Sequence, residues 1–542
     1  MMFDPRAVND GHHWLTLVLL VPVVGALLLQ PLSRNARGAI KTITVAATLV
    51  TGVIVVGLLV NFDQFYNPGP GRLAFQYQEQ HAWISAIGAS YHVGIDGLSA
   101  WLLALDAGVF LLGALVISRR ATERLKLFCG LLLLTEAATA GVLLSLDVLL
   151  FYVFWEAMLI PLFFLLANYG DAAKRGPATL KFIVYTVAGS LLMLLAIIYL
   201  YAQTKGPSFD ITAMLGAAQT TAAQGPVTVA ILGREISLHL SPAQFAFLAF
   251  ALAFAIKVPL VPFHTWLPDL YEAAPASTLT FFAGIVSKLG AFGFLRYCVA
   301  FFPQETHDFQ WLLMSMAALS IVYGAFMALS ETDIKRIVAY SSISHLGFIV
   351  LGIFAHNANG INGSIMQMIN HGIIIAALFL IVGSIEQRTA TRDLREMSGL
   401  EKRMPVLYVL FLIATLAGLG MPGMNSFVGE FSIMLGAFAA NPVFAVLAGV
   451  GVIFACWYML RLHQGLMHGP LKERTERVGD LRWGEGLVLV PLVVLMVGIG
   501  MYPKPVGDLS RTTVSGYLSV AHATPAYCDG LSAAAATAAG CK

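Results

Sequence analysis

Lys257 falls inside the run FALAFAIKVPLVPFHTWLPDLYEAAPAS, which begins at Phe250, and Pro259 and Pro262 follow it at once. A lysine at bilayer depth costs roughly 2.5 to 3.5 kcal/mol on insertion scales, and prolines there free backbone carbonyls that only protein or enclosed water can satisfy. A chain that keeps both has a use for them. Glu156, in FYVFWEAMLIPLF, is the partner that explains two costly residues at once. At an effective dielectric near 20, opposite charges about 4 Å apart gain roughly 4 kcal/mol. The plain alternative, a neutral Glu156 carboxyl hydrogen-bonded to a neighbouring helix, stays open.

Lys288, in VSKLGAFGFLRY, is a second cation in an apolar run and needs either a structural acid or a share in the same pathway. Three histidines occupy apolar positions: His264 just past the prolines, His345 in AYSSISHLGFIVLG and His371 in QMINHGIIIAALF. Each alone reads as a hydrogen-bonded core residue. Together they point to a proton path, because imidazole changes charge near neutral pH and can relay through water. Glu430, in LAGLGMPGMNSFVGEFSIML, follows Gly418, Gly420, Pro422 and Gly423, a cluster that marks a second interrupted helix. Glu136, in LLTEAATAG, is a further candidate for proton transfer, whereas Asp96, in GIDGLSAWL, reads as a helix cap.

The elements that must position these groups are set by composition. With 542 residues, 58% hydrophobic and only 11% charged, and a mean hydropathy of +0.78, the chain falls in the polytopic membrane class. A net charge of +2, with its cations in short loops, gives no nucleic-acid signal. Cys129, Cys298 and Cys456 are single residues in apolar runs, too scattered for an iron–sulfur cluster or zinc, so no metal or cofactor is expected in this chain. Cys528 and Cys541 lie in the C-terminal tail and could pair if that tail faces an oxidising compartment.

Fourteen apolar runs are long enough to cross a bilayer, from 14–32 to 486–502, with the breaks in the seventh (243–266) and twelfth (405–438). The first reads as a retained helix and not a signal peptide, because Asp4, Arg6 and Asp10 precede it. Loops after odd-numbered runs carry 21 of the 32 Lys and Arg residues and the opposite side 7, which places both termini outside. Of the four left in the runs, Arg296 and Arg461 lie near ends, where they are expected to snorkel. The loop after the seventh run carries Asp269 and Glu272 but no basic residue, an acidic mouth suited to collecting protons.

Breaks five runs apart suggest repeats of spans four to eight and nine to thirteen. The expected fold is all-α with about fourteen transmembrane helices and two inverted five-helix repeats. Its organisation is residues 1–126 as helices one to three, 127–301 as the first repeat, 302–466 as the second, and 467–542 as helix fourteen with an outer tail. Alternation of apolar residues over 227–240 around Gly233 predicts an outer β-hairpin, and 506–522 an amphipathic helix.

FWEAMLIPLF, FAIKVPLVPFHTWLPDLYEAAPAS, SKLGAFGFLRY, DIKRIVAYSSISHLGF and NHGIIIAALF together resemble the antiporter-like membrane subunits of respiratory complex I, over 96–466. GMNSFVGEF places Glu430 where the sister subunits L and N carry lysine, so the chain is most similar to the subunit M branch. The resemblance implies a proton-translocating part of NADH:quinone oxidoreductase, related to multisubunit cation/proton antiporters. It implies that Glu156 and Lys257 form the ion pair, Lys288 connects, His264, His345 and His371 relay, and Glu430 is the exit acid. Partners would be subunits L and N, the peripheral arm that holds FMN and iron–sulfur clusters, and membrane phospholipids. Short loops and no evident transit segment favour a bacterial inner membrane over a mitochondrial one.

Overall fold

The computed structural model describes residues 12–66, 69, 72–119, 124–221, 228–231, 234–237 and 240–522. Each of the fourteen predicted runs is helical: α1 (Trp14–Leu28), α2 (Arg37–Val60), α3 (Gly97–Arg119), α4 (Leu125–Leu144), α5 (Val148–Tyr169), α6 (Arg175–Ala202), α7 in two pieces (Pro242–Lys257 and Trp266–Ala273), α8 (Ala276–Val299), α9 (Gln310–Ser330), α10 (Ile334–Phe354), α11 (Ala358–Thr389), α12 in two pieces (Pro405–Gly418 and Asn425–Ala440), α13 (Pro442–Met467) and α14 (Trp483–Met501). Eleven of the described helices are long and apolar enough to cross a membrane unbroken. The amphipathic helix of the tail is α15 (Lys504–His522).

Burial is arranged from the inside out. The central apolar windows of α8, α10 and α11 are wholly enclosed by protein, whereas those of α2, α13 and α14 are buried over a third or less. Aliphatic side chains such as Val53, Ile453 and Val494 point outward, as they do when the surrounding solvent is lipid. The three enclosed helices carry Lys288, His345 and His371, so the costly residues sit where protein alone surrounds them.

Starts and breaks follow local chemistry. Ser241 and Gln244 form a reciprocal capping box at the start of α7, with Pro242 at the first helical position, and Asp147 and Asp333 cap α5 and α10. The first piece of α7 ends on Lys257 itself. Two carbonyls at its end are re-satisfied within the chain: Ile256 O accepts the Trp266 indole N–H at 2.9 Å and Ala255 O accepts Leu260 N–H at 2.9 Å. At the second break Gly420 and Gly423 have φ of +75° and +90°, a conformation that glycine adopts without steric cost.

A hairpin not anticipated from the sequence joins α2 to α3: β1 (Gln76–Ile84) pairs antiparallel with β2 (Ala89–Ile95). Its buried Glu79 accepts hydrogen bonds from Leu15 N, Thr16 N and the Thr16 hydroxyl, so a carboxylate closes the positive end of α1. The predicted hairpin over 227–240 is seen as β3 (Thr228–Ile231) and β4 (Arg234–Ser237), paired antiparallel; its bend at Gly233 lies outside the described residues, as do Cys528 and Cys541.

Two expectations are corrected. Arg296 does not snorkel. It is fully buried, with its guanidinium 2.8 Å from Asp96 and its Nε donating to the Tyr517 hydroxyl of α15 at 2.9 Å. Asp96 does cap α3, accepting Ser99 N–H at 2.8 Å, and the same carboxylate receives the arginine. The second correction is the mouth beyond α7, which is acidic in sequence but neutralised in space. Lys181 approaches Asp269 at 2.8 Å, Arg336 approaches Glu272 at 3.1 Å, and Lys174 also binds Glu272. A loop counted alone looks charge-isolated because its partners come from α6, α10 and the loop before α6. Burial pushes the Glu272 carboxyl up, and its bonds to Lys174 and Arg336 outweigh that and hold it below the ordinary glutamate value.

Candidate functional site

Lys257 is buried and its Nζ has no hydrogen-bond partner. The ammonium instead lies over two aromatic faces, 5.1 Å from the centre of the Trp155 ring and 5.6 Å from that of Phe182. A desolvated cation gains up to about 2 kcal/mol from such a face. Glu156 follows Trp155 on α5, half-buried, with Oε1 unbonded. Lys257 Nζ and Glu156 Oε1 are both without a partner, so the direct contact at about 4 Å that the sequence suggested is not made. Trp155 is wedged against the Phe254 ring, 5.5 Å centre to centre, and presents its own face to the ammonium. Val153 and Ile160 beside Glu156 are exposed, so the acid stands near the outer wall of the chain.

Lys288 sits between two stretches of π-helix in α8, Phe282–Val286 and Phe294–Val299. The wider turns of a π-helix misalign carbonyls and recur at functional positions. Lys288 Nζ donates to Ala283 O at 2.6 Å, and no carboxylate is bonded to it.

The second half of the site is wired. His371 and His345 lie with ring centres 5.6 Å apart and their planes tilted by 39°. The segment of α8 that carries Lys288 packs against α11, which carries His371, and neither ring nitrogen of His371 is hydrogen-bonded. His345 Nδ1 lies 2.8 Å from Glu430 Oε1, and the Tyr458 hydroxyl 3.4 Å from His345 Nε2. Glu430 Oε1 also accepts Gln367 Nε2 at 3.0 Å and the Ser426 hydroxyl at 2.9 Å. Gly420 brings the broken backbone so close that a Cβ there would stand 2.7 Å from Glu430 Oε2.

His264 lies within the break of α7, edge-on to Tyr323 at 4.9 Å, with Nδ1 unbonded. It has no hydrogen bond to Lys257 or Lys288. Glu136 is fully buried in α4 with both oxygens unbonded. Its neighbour is Asp106 of α3, a buried acid that the sequence reading passed over. Asp106 accepts the Thr139 hydroxyl at 2.8 Å, and Thr139 stands one turn from Glu136. An acid in the middle of AWLLALDAGVFLL was a signal available from sequence. Tyr458 and Gln367 carried no such signal, because neutral polar residues are common in membrane helices. Among the described residues no group of three or more His, Cys, Asp or Glu side chains could hold a metal.

Broken helices flanking an enclosed file of lysine, histidine and glutamate define a polytopic membrane subunit with buried ionisable groups. The family described as NADH:quinone oxidoreductase/Mrp antiporter, TM, matches residues 145–455. A Mycobacterium tuberculosis protein named NADH-quinone oxidoreductase subunit M is 34% identical, covering 95% of this chain and 97% of its own. Among solved structures, a chain of respiratory complex I from Thermus thermophilus with bound NADH superposes with a TM-score of 0.80 at 31% identity, over 94% of this chain and 99% of that one. A chain of the Mrp complex from Dietzia sp. shares the fold, with a TM-score of 0.78 at 21% identity, over 94% and 99%. The chain belongs to the NADH:quinone oxidoreductase/Mrp antiporter family, among relatives named subunit M.

Proposed function

We propose that this chain is the proton-translocating subunit M of an NADH:quinone oxidoreductase, converting electron transfer performed by partner subunits into proton movement across the membrane. The observation that carries the reading is the enclosed run from Lys288 through His371 and His345 to Glu430, whose last contact is a 2.8 Å hydrogen bond. Protons enter on the cytoplasmic side near α7 and α8, reach Lys257 or Lys288 by way of His264, pass along the two neighbouring imidazoles and leave past Glu430. Glu156 sets the cycle. A carboxylate held near Lys257 stabilises its charged form, and withdrawal of that carboxylate favours release of the proton. Its place by exposed Val153 and Ile160 puts it within reach of a neighbouring subunit's motion.

The same reading takes fourteen membrane crossings in two inverted repeats of spans four to eight and nine to thirteen, with both termini outside. It places the chain in a bacterial inner membrane beside subunits L and N and the peripheral arm, which supplies FMN and iron–sulfur clusters. Glu136 joins the proton-transfer set through Asp106. Purification from native membrane tests the assembly: FMN and iron–sulfur signals should co-elute with this chain, and their absence would overturn it.

A second reading, a subunit of a multisubunit cation/proton antiporter, is favoured by the fold shared with the Mrp chain. Cation-driven proton flux in vesicles given no NADH would select it; flux that requires NADH and quinone selects complex I.

A further inference from the structure

We propose that a groove between α1, α2 and α4 is a binding site for an anionic phospholipid. The groove has a volume of 530 Å³ and its rim holds Arg34, Arg37, Arg124 and Lys126. Among the described residues no aspartate or glutamate lines it. Lys126 is tethered by Gln30 O at 2.6 Å and Leu32 O at 3.0 Å, carbonyls at the end of α1, so the loop is held while the charge stays uncompensated. Among the described residues Arg124 meets the neutral side-chain oxygen of Asn168, at 3.4 Å. Four cations gathered with no carboxylate among the described lining residues repel one another and call for an anion.

The rest of the groove says which anion. Below the rim, α4 presents Leu127 and Leu134, 44% and 41% exposed, with Gly130 between them. A Cβ at Gly130 would meet nothing within 4 Å, so the glycine leaves a notch on an aliphatic strip. A cationic rim above an apolar trough fits an amphiphile with a phosphate head and acyl chains. A soluble phosphate would leave the trough bare, and an acidic loop from a neighbouring protein would leave the notch unfilled. The rim lies at the ends of α2 and α4, both long and apolar enough to cross a membrane, and of the shorter apolar α1, the depth at which a lipid headgroup sits. Arginine suits phosphate through paired N–H donors, and each cation near a charged headgroup contributes about fivefold in affinity.

The test uses the assembled complex in nanodiscs carrying a photoactivatable phosphatidylglycerol or, in parallel, the matching phosphatidylcholine. Phosphatidylglycerol should label peptides within 124–134, and phosphatidylcholine should not. Arg34→Gln with Arg37→Gln should raise the phosphatidylglycerol needed for half-maximal labelling by about thirtyfold. Gly130→Leu changes no charge and fills open space, so labelling should fall while assembly and NADH oxidation persist. Equal labelling by both lipids, no labelling because another subunit covers the groove, or unchanged labelling in both variants would each overturn the proposal.

Discussion

The two broken helices solve one problem in opposite ways. At the break in α7 the ion is nearly bare: Lys257 ends a helix, touches aromatic faces and has no hydrogen bond, while Glu156 makes no direct contact with it. At the break in α12 the ion is fully held, because Glu430 receives His345, Gln367 and Ser426 while the backbone at Gly420 closes over it. A charge without hydrogen bonds depends on whatever field its neighbours supply, so a small displacement of Glu156 has leverage. A charge held by three donors has its affinity set locally. The first arrangement suits a switch and the second suits a fixed exit. Proton pumping needs both, since a path of fixed affinities conducts in either direction and a switch alone leads nowhere.

The sharpest way to break that comparison is at the switch. Lys257→Ala in an assembled complex should cut NADH-driven acidification of inverted vesicles by more than tenfold, on the scale of losing a proton-transfer group. Full pumping in that variant would remove the first half of the argument. Next in size comes His345→Leu, which deletes one of the donors to a buried carboxylate; a hydrogen bond to a charged group is worth about 1.5 to 3 kcal/mol. Both thermal stability and pumping should fall, whereas Lys257→Ala should cost less stability, because that ammonium has no hydrogen bond to lose and relief of its desolvation offsets the lost ring contacts. The contrast in stability separates the two breaks even where both variants fail to pump. A smaller effect is expected of Gly420→Ala. The positive φ costs about 1 to 2 kcal/mol for an L-residue, and the new methyl must push Glu430 Oε2 aside. Pumping should slow by a few fold, with quinone reduction by the partner subunits less affected.

What the sequence disclosed and what it withheld divide along the same physical line. Helix positions and both breaks were legible, because apolar runs of about 20 residues and Gly and Pro clusters are local properties. Lys257, Lys288, Glu430 and the histidines announced themselves by the cost of burying them. Pairings were not legible. Asp269 and Glu272 looked uncompensated because their cations lie 64 to 98 residues away in the chain, and Arg296 looked free to snorkel although Asp96 and Tyr517 enclose it. The β1–β2 hairpin escaped because its strands mix Gln, Glu and His with apolar residues and show no period of two to read. The indole standing over Lys257 in place of a direct carboxylate contact depends on rotamers, which no spacing rule reaches.

The smallest expected effect lies outside both breaks and serves as their control. Glu305, in the short helix Pro303–Asp308 that joins α8 to α9, is buried with Oε2 unbonded. Burial, reinforced by nearby Asp308, raises its carboxyl from 4.5 to about 7. Between those two values the folded chain keeps a proton that the unfolded chain has lost, so stability falls as pH rises from 4.5 through 7 and stays lower above it. Glu305→Gln removes the titration. The variant should match the parent at low pH and exceed it by about 1 to 3 kcal/mol at pH 8, a shift converted at about 1.4 kcal/mol per unit and discounted for relaxation. Thermal midpoints at pH 5 and pH 8 read this directly, and equal midpoints for variant and parent at pH 8 would refute it. The short helix packs against the first piece of α7, where Gln244 donates to Asp308, but the Glu305 Oε2 atom bonds to neither broken helix, so pumping should be unchanged. A pumping defect in this variant would mean that the outer loop takes part in the path, and the division into one switch and one fixed exit would need a third station.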